Sequence, residues 1–222
     1  MLWQVRRGMI ASPAAFAAAA GGGPPSVQST TWNPSDKSAR IDLTNGNLTA
    51  TENAGVAVTA MVRATVSRTT GKFVFTVDPG TSTSGVAIGY VESGLATNAA
   101  VTNAATSMFG INPSGILFSG AGPADATGGP TWDASTSEVM IAIDLDNNRG
   151  AYAVNGGAWY GTATSADPAT GTNCLTLDNL GAVFPAINFV WTGDAATANF
   201  GASAFTKTIP VGFYSWDGNQ AG

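Results

Sequence analysis

The chain has 222 residues, carries a net charge of −5 and is only 10% charged, against roughly 25% in an average soluble protein. It has no histidine and a single cysteine, Cys174, which removes Ser-His-Asp and Cys-His catalysis, histidine-bound zinc or haem, and any internal disulfide. At 44% hydrophobic residues with six Trp, it can bury a core as one all-β domain without covalent staples, and it has no basic stripe for nucleic acid.

The first element is residues 1–25, MLWQVRRGMIASPAAFAAAAGGGPP. Leu2, Trp3, Val5, Met9, Ile10 and Phe16 are apolar anchors, and Arg6 and Arg7 are the only charges before Asp36. Ser12 is placed to cap a short helix over 14–20, with Pro13 at its first position. Three glycines end that helix, and Pro24 and Pro25 forbid its continuation. This reads as a docking peptide on a Gly-Pro linker, with Leu2, Trp3, Arg6, Arg7, Ile10 and Phe16 as the residues that meet the partner. Two alternatives stay open: a piece of the chain's own core, or an export signal, which an Arg pair before an apolar run imitates. Pro13 interrupts that run, leaving it short of the about 20 residues a membrane span needs.

From residue 26 onward, short apolar or alternating runs are separated by Gly, Asn, Asp and Pro clusters, which predicts many short strands. They fall at 39–43, 48–51, 60–67, 72–77, 86–91, 115–118, 139–144, 150–154, 182–188, 198–200 and 212–214. No sustained helical period or fixed repeat appears, so 26–222 reads as one domain. Residues 139–160 read as a meander of three antiparallel strands, with Asn155-Gly156 as a type I′ hairpin turn. Trp32, Phe73, Phe75, Phe184, Phe200 and Trp216 are assigned to the core.

Asp144, Asp146 and Asn148 have the first spacings of a calcium loop. Arg149 and Asn155 stand where that loop needs Gly and Glu, so the segment reads as a polar hairpin turn and no metal site is expected. Cys174 has no base to activate it and reads as a small apolar residue. Glu52, Glu92, Glu138 and the aspartates leave a glycosidase-type carboxylate pair open, although turn chemistry accounts for most of the aspartates.

Several fragments, in order, resemble the SPRY-domain family. The run SEVMIAIDLDNNRGAYAVNGGAW (137–159) is similar to that family's central hairpins. VRATVSRTTGKFVFTV (62–77) resembles its early hairpin, with Phe73 where Trp is commoner. GVAIGY (85–90), LGAVFPAI (180–187), TANFG (197–201) and PVGFYSW (210–216) resemble later strands. WNPSDKSARIDLTNGNLTAT (32–51) and ANFGASAF (198–205) are similar to low-charge SPRY-like modules of bacteriophage and prophage structural proteins. The resemblance implies an all-β, concanavalin-like sandwich of two antiparallel sheets, preceded by an extended N-terminal arm with a short helix. It further implies no catalysis, no cofactor, and partner binding by loops at one rim.

Tyr90, Trp132, Asp133, Arg149, Trp159 and Tyr160 lie next to loop signals and are the candidate rim residues; the competing expectation is that each aromatic anchors its own loop in the core. The reading is a non-enzymatic virion protein, assembled in the host cytoplasm: a head fibre, decoration protein or tail-fibre component. Residues 1–25 dock on other virion proteins, the sandwich faces a host glycan or protein, and the chain is oligomeric within the particle. No nucleic acid and no membrane span is expected. A peptide-binding SPRY adaptor and a carbohydrate hydrolase are the alternatives.

Overall fold

The computed structural model describes residues 24–53, 59–81, 86–98, 108–119, 126–133, 138–178 and 181–222. Among these there is no helix. The strands are β1 (Trp32–Lys37), β2 (Ile41–Thr44), β3 (Thr49–Glu52), β4 (Ala60–Ala64), β5 (Lys72–Asp78), β6 (Ala87–Glu92), β7 (Met108–Ile111), β8 (Leu117–Ser119), β9 (Val139–Asp144), β10 (Arg149–Val154), β11 (Leu175–Thr176), β12 (Val183–Phe189), β13 (Ala195–Asn199) and β14 (Tyr214–Ser215). The docking residues Leu2, Trp3, Arg6, Arg7, Ile10 and Phe16, and the helix expected at 14–20, lie outside the described residues.

The strands form two sheets. One runs β1-β4-β12-β6-β7-β8; the other runs β11-β10-β9-β5-β13-β3-β2, with β14 added alongside β5. That last pairing is parallel; the others are antiparallel. The all-β sandwich expected from the sequence is therefore the fold.

An antiparallel sheet with one wet face alternates apolar and polar residues. Here the central strands read as continuous apolar runs because both faces are covered. In β5 and β9, Phe73, Phe75, Val77, Val139, Ile141 and Ile143 point into the sandwich. Val74, Met140 and Ala142 point outward, under Ile209 and Phe213 of the C-terminal segment. On the other sheet, Met61, Ala87, Val91 and Ala186 point outward and are buried together, with Leu95 against them.

Aromatic rings run through the interior. Trp32 meets Phe200 edge-on at 5.1 Å, Phe200 stacks on Phe75 at 5.8 Å, and Phe75 meets Tyr90 at 5.2 Å. Tyr90 then contacts Trp216 at 5.3 Å, which meets Phe73 at 5.4 Å. The Trp216 indole donates to the Val66 carbonyl at 3.0 Å, and its backbone N–H donates to Val74 at 2.7 Å. Five of the six aromatics assigned to the core are there. Phe184 is not: inward positions on β12 are the odd ones, Val183, Ile187 and Phe189, so Phe184 stands half-buried on the outer side with Ala186.

Residues 24–31 are fastened to the end of the chain. Gln28 N–H donates to the Asp217 carbonyl and Thr30 N–H to the Asp217 carboxylate, both at 2.9 Å. Arg68 donates to the Trp216 carbonyl at 2.7 Å while its guanidinium lies 4.7 Å from the Phe73 ring centre.

Candidate functional site

The third strand of the expected meander shrinks to one residue. After β10 the chain turns at Asn155 (φ 49°) and Gly156 (φ 69°), and Gly157 N–H donates to the Val154 carbonyl at 2.8 Å. Positive φ at both central positions with that bond is the type I′ turn predicted there. Tyr160 then exchanges two backbone hydrogen bonds with Tyr152, at 2.8 and 2.9 Å, before the chain leaves on a long excursion to β11.

That excursion and the C-terminal segment enclose an open groove of about 600 Å³ on the outer side of the second sheet. Trp159, Asp167, Thr206, Lys207, Pro210 and Val211 line it. Trp159 packs on the outer apolar layer with Phe205 and stays half-buried. Val211 is 77% exposed, which is unusual for a large aliphatic side chain and puts apolar surface at the groove's edge. Lys207 reaches across: its ammonium donates to the Gly157 carbonyl at 2.7 Å and lies 5.4 Å from the Trp159 ring centre. The Asp167 carboxylate accepts from Ala169 N–H at 3.0 Å and the Thr170 hydroxyl at 2.8 Å, so it is held in place in the opposite wall.

Glu138 joins the two walls. Its carboxylate accepts from Thr206 N–H at 3.2 Å, and its backbone N–H donates to the Asn155 side chain at 3.2 Å. Burial pushes the Glu138 carboxyl above its ordinary value, against the hydrogen bonds from Thr206, Thr76 and Lys207 that favour the charged form.

Of the candidate rim residues, Trp159 alone lines this groove. Tyr90, Trp132 and Tyr160 belong to the core. Tyr90 sits on an inward-facing position of β6, between Ile88 and the aromatic chain. Tyr160 and its neighbour Tyr152 hold a loop: their hydroxyls donate to the Thr127 and Pro130 carbonyls. Trp132, in that same loop, is 3% exposed. Asp133 beside it is exposed. Arg149 is half-buried and donates to the Thr170 carbonyl at 3.2 Å, bracing the excursion rather than facing the groove.

The aspartate-rich turn after β9 is closed on itself. Asp144 accepts from the backbone of Asp146 and Asn147 at 3.1 Å, from the Asn147 side chain at 2.8 Å and from Lys72 at 3.0 Å. Asp146 accepts from Gly71 N–H at 2.7 Å. Other carboxylates are likewise engaged: Asp36 takes Arg63 in a two-point ion pair at 2.6 and 2.7 Å, and Glu92 accepts from Gly181 N–H. Burial pushes the Cys174 thiol up to about 11, so it stays protonated at neutral pH and is a poor nucleophile. Among the described residues no helix is long and apolar enough to cross a membrane.

The chain is similar in fold to solved SPRY domains. The SPRY domain of human HERC1 superposes with a TM-score of 0.59 at 13% identity, over 78% of this chain and 99% of that one. The TRIM65 PSpry domain gives 0.54 at 13% identity over 78% and 93%. A further human SPRY domain gives 0.53 at 12% identity over 74% and 98%. At that identity the likeness is one of fold. No protein-family model matches the chain, and no curated protein does.

Proposed function

We propose that this chain is a non-enzymatic binding module of a phage particle, a head fibre, decoration protein or tail-fibre component. Residues 1–25 fix it to a neighbouring virion protein and the SPRY-like sandwich is displayed outward. The observation that carries the binding role is the groove between Trp159 and Val211. It offers a half-buried ring, an exposed aliphatic edge and one fixed charge of each sign, a combination suited to a polypeptide with an apolar side chain next to a charged one. The engaged carboxylates favour recognition over acid–base chemistry. The phage setting is supported by the low charge and by the resemblance of residues 32–51 and 198–205 to phage modules. The root of the arm, fastened through Asp217 and Arg68, would transmit a pull on residues 1–25 directly into the closing strand.

Deleting residues 1–25 is expected to leave a soluble domain that melts cooperatively and no longer joins its particle. If the truncated protein assembles at wild-type occupancy, attachment runs through the sandwich and the display reading fails. The same groove equally suits a cellular peptide-binding adaptor. Co-purification of the full chain with phage particles, against its recovery from uninfected cells in complex with a host polypeptide, separates the two. In either setting Trp159→Ala is expected to abolish partner binding while the fold is retained.

A further inference from the structure

The chain contains two Asn-Gly dipeptides, and the fold treats them differently. In this dipeptide the following backbone nitrogen can attack the side-chain amide carbon, because glycine places no side chain in the way. Asn155-Gly156 is clamped. Its amide oxygen accepts from Glu138 N–H at 3.2 Å, and its own N–H donates to the Glu138 carbonyl at 2.8 Å. Gly156 lies against the Thr206 methyl, and its carbonyl faces the Lys207 ammonium at 3.4 Å.

Asn45-Gly46 is the opposite case. It forms the tip of the β2–β3 hairpin, where Asn45, Gly46 and Asn47 take φ of 51°, 63° and 65° in succession. Asn45 and Gly46 are exposed, and nothing lies within 4 Å of the Gly46 position where a side chain would begin. Among the described residues no hydrogen bond holds the Asn45 amide. The base of the tip is fixed instead, by Trp32 N–H donating to the Asn47 carbonyl and Ala198 N–H to the Leu48 carbonyl, both at 2.9 Å. Leu48 N–H donates to the Asn45 carbonyl at 3.2 Å, so the turn stays closed while the exposed Asn45 side chain has open space in which to rotate toward the Gly46 nitrogen without unfolding the sheet.

We propose that Asn45 is a site of spontaneous deamidation in the folded protein and that Asn155 is protected. The Gly46 nitrogen loses its proton and bonds to the Asn45 side-chain carbon, and ammonia leaves with the proton returned to it. The resulting five-membered imide then takes up one water and opens at either carbonyl. One opening gives an aspartyl product at position 45. The other gives an isoaspartyl product, whose side-chain carbon has moved into the main chain. Both add one negative charge. The isoaspartyl form also lengthens a tight hairpin whose next carbonyl but one, Asn47, holds the first residue of β1. Conversion therefore marks the age of the molecule at the β2 edge of the second sheet, far in sequence from the groove.

The test is to incubate the full chain at mildly alkaline pH, with and without urea. Each site is followed by peptide mass mapping and by methyl transfer from an isoaspartyl methyltransferase. In the folded protein, position 45 is expected to convert several-fold faster than position 155; in urea the two rates converge. Asn45→Gln is expected to remove nearly all isoaspartyl signal from the folded protein, and Asn155→Gln to leave it unchanged. Equal conversion of both sites in the folded protein, or none at position 45, overturns the proposal.

Discussion

The interior and the groove both use aromatic rings, but they hold them in opposite ways. In the interior, Trp32, Phe75, Tyr90, Phe200 and Trp216 are no more than 1% exposed and each touches at least one other ring of the set. In the groove, Trp159 lies half-buried on the outer layer beside Phe205, with a lysine ammonium above it and an exposed valine nearby. Rings that satisfy one another specify a fold. A half-buried ring whose open side meets a single lysine ammonium can exchange that cation for a ligand. The two sets should therefore separate cleanly, one governing stability and the other binding.

The largest expected effect tests the interior. Trp216→Ala removes a ring in contact with Phe73, Phe75 and Tyr90, and leaves the Val66 carbonyl without its donor. A loss of about 3–5 kcal/mol is expected in denaturant unfolding, the usual cost of deleting a large core aromatic. A melt matching that of the unsubstituted chain would mean that the closing strand does not complete the core.

Tyr90 refines the same point with the opposite sign. Among the described residues its buried hydroxyl has no hydrogen-bond partner, and burial drives the phenol well above its ordinary pKa. Tyr90→Phe keeps the ring contacts and removes an unsatisfied polar group, so stability should rise by about 1 kcal/mol. A clear loss would show that the hydroxyl is satisfied after all.

Tyr90 also shows where the sequence was legible and where it was not. The strand pattern was readable because the turns between strands carry their own chemistry; the run at 139–144 and the Asn155-Gly156 turn lie where the residues place them. Three strands escaped. β1 is polar and contains Pro34, and its pairing with β4 shifts register between Trp32 and Lys37. β7 contains Gly110, which faces Gly89 across the ladder so closely that a side chain at Gly89 would collide with the β7 backbone. β11 is only Leu175–Thr176. Tyr90, open between rim and core, and Phe184, assigned to the core but on the outer side, share one difficulty. On strands buried on both faces, polarity no longer reports which way a side chain points, so parity must come from the neighbouring sheet. The groove was legible only at Trp159. Lys207 and Val211 come from the segment that leads into the strand predicted at 212–214, and nothing local places that segment beside Trp159.

A pH titration addresses the joint between the groove's walls. Because burial raises the Glu138 carboxyl, the folded protein holds its proton more tightly than the unfolded chain does. Glu138 therefore favours the folded state at pH values below its ordinary 4.5, and that advantage is lost as pH rises through the higher folded value. In Glu138→Gln this contribution is absent. The melting temperature of the variant should gain on that of the unsubstituted chain as pH rises from about 4.5 toward neutrality. A difference that does not change with pH would remove desolvation as the governing cause.

The smallest stability effect belongs to Val211, and it separates the two regions most sharply. The side chain is 77% exposed, so Val211→Asp neither opens a cavity nor buries a charge. Its cost to folding should stay within about 0.5 kcal/mol, as for surface substitutions generally. A ligand seated against Trp159 must however cover that edge. A carboxylate there would have to be desolvated, and it would stand in the wall facing the fixed Asp167 side. Binding of a polypeptide partner should therefore weaken at least tenfold, which is about 1.4 kcal/mol, with the unfolding curve nearly superimposable on that of the unsubstituted chain. Titration calorimetry beside a denaturant melt reads both quantities. A variant that folds normally and binds at full strength would move the recognition surface away from this groove, whatever the interior rings do.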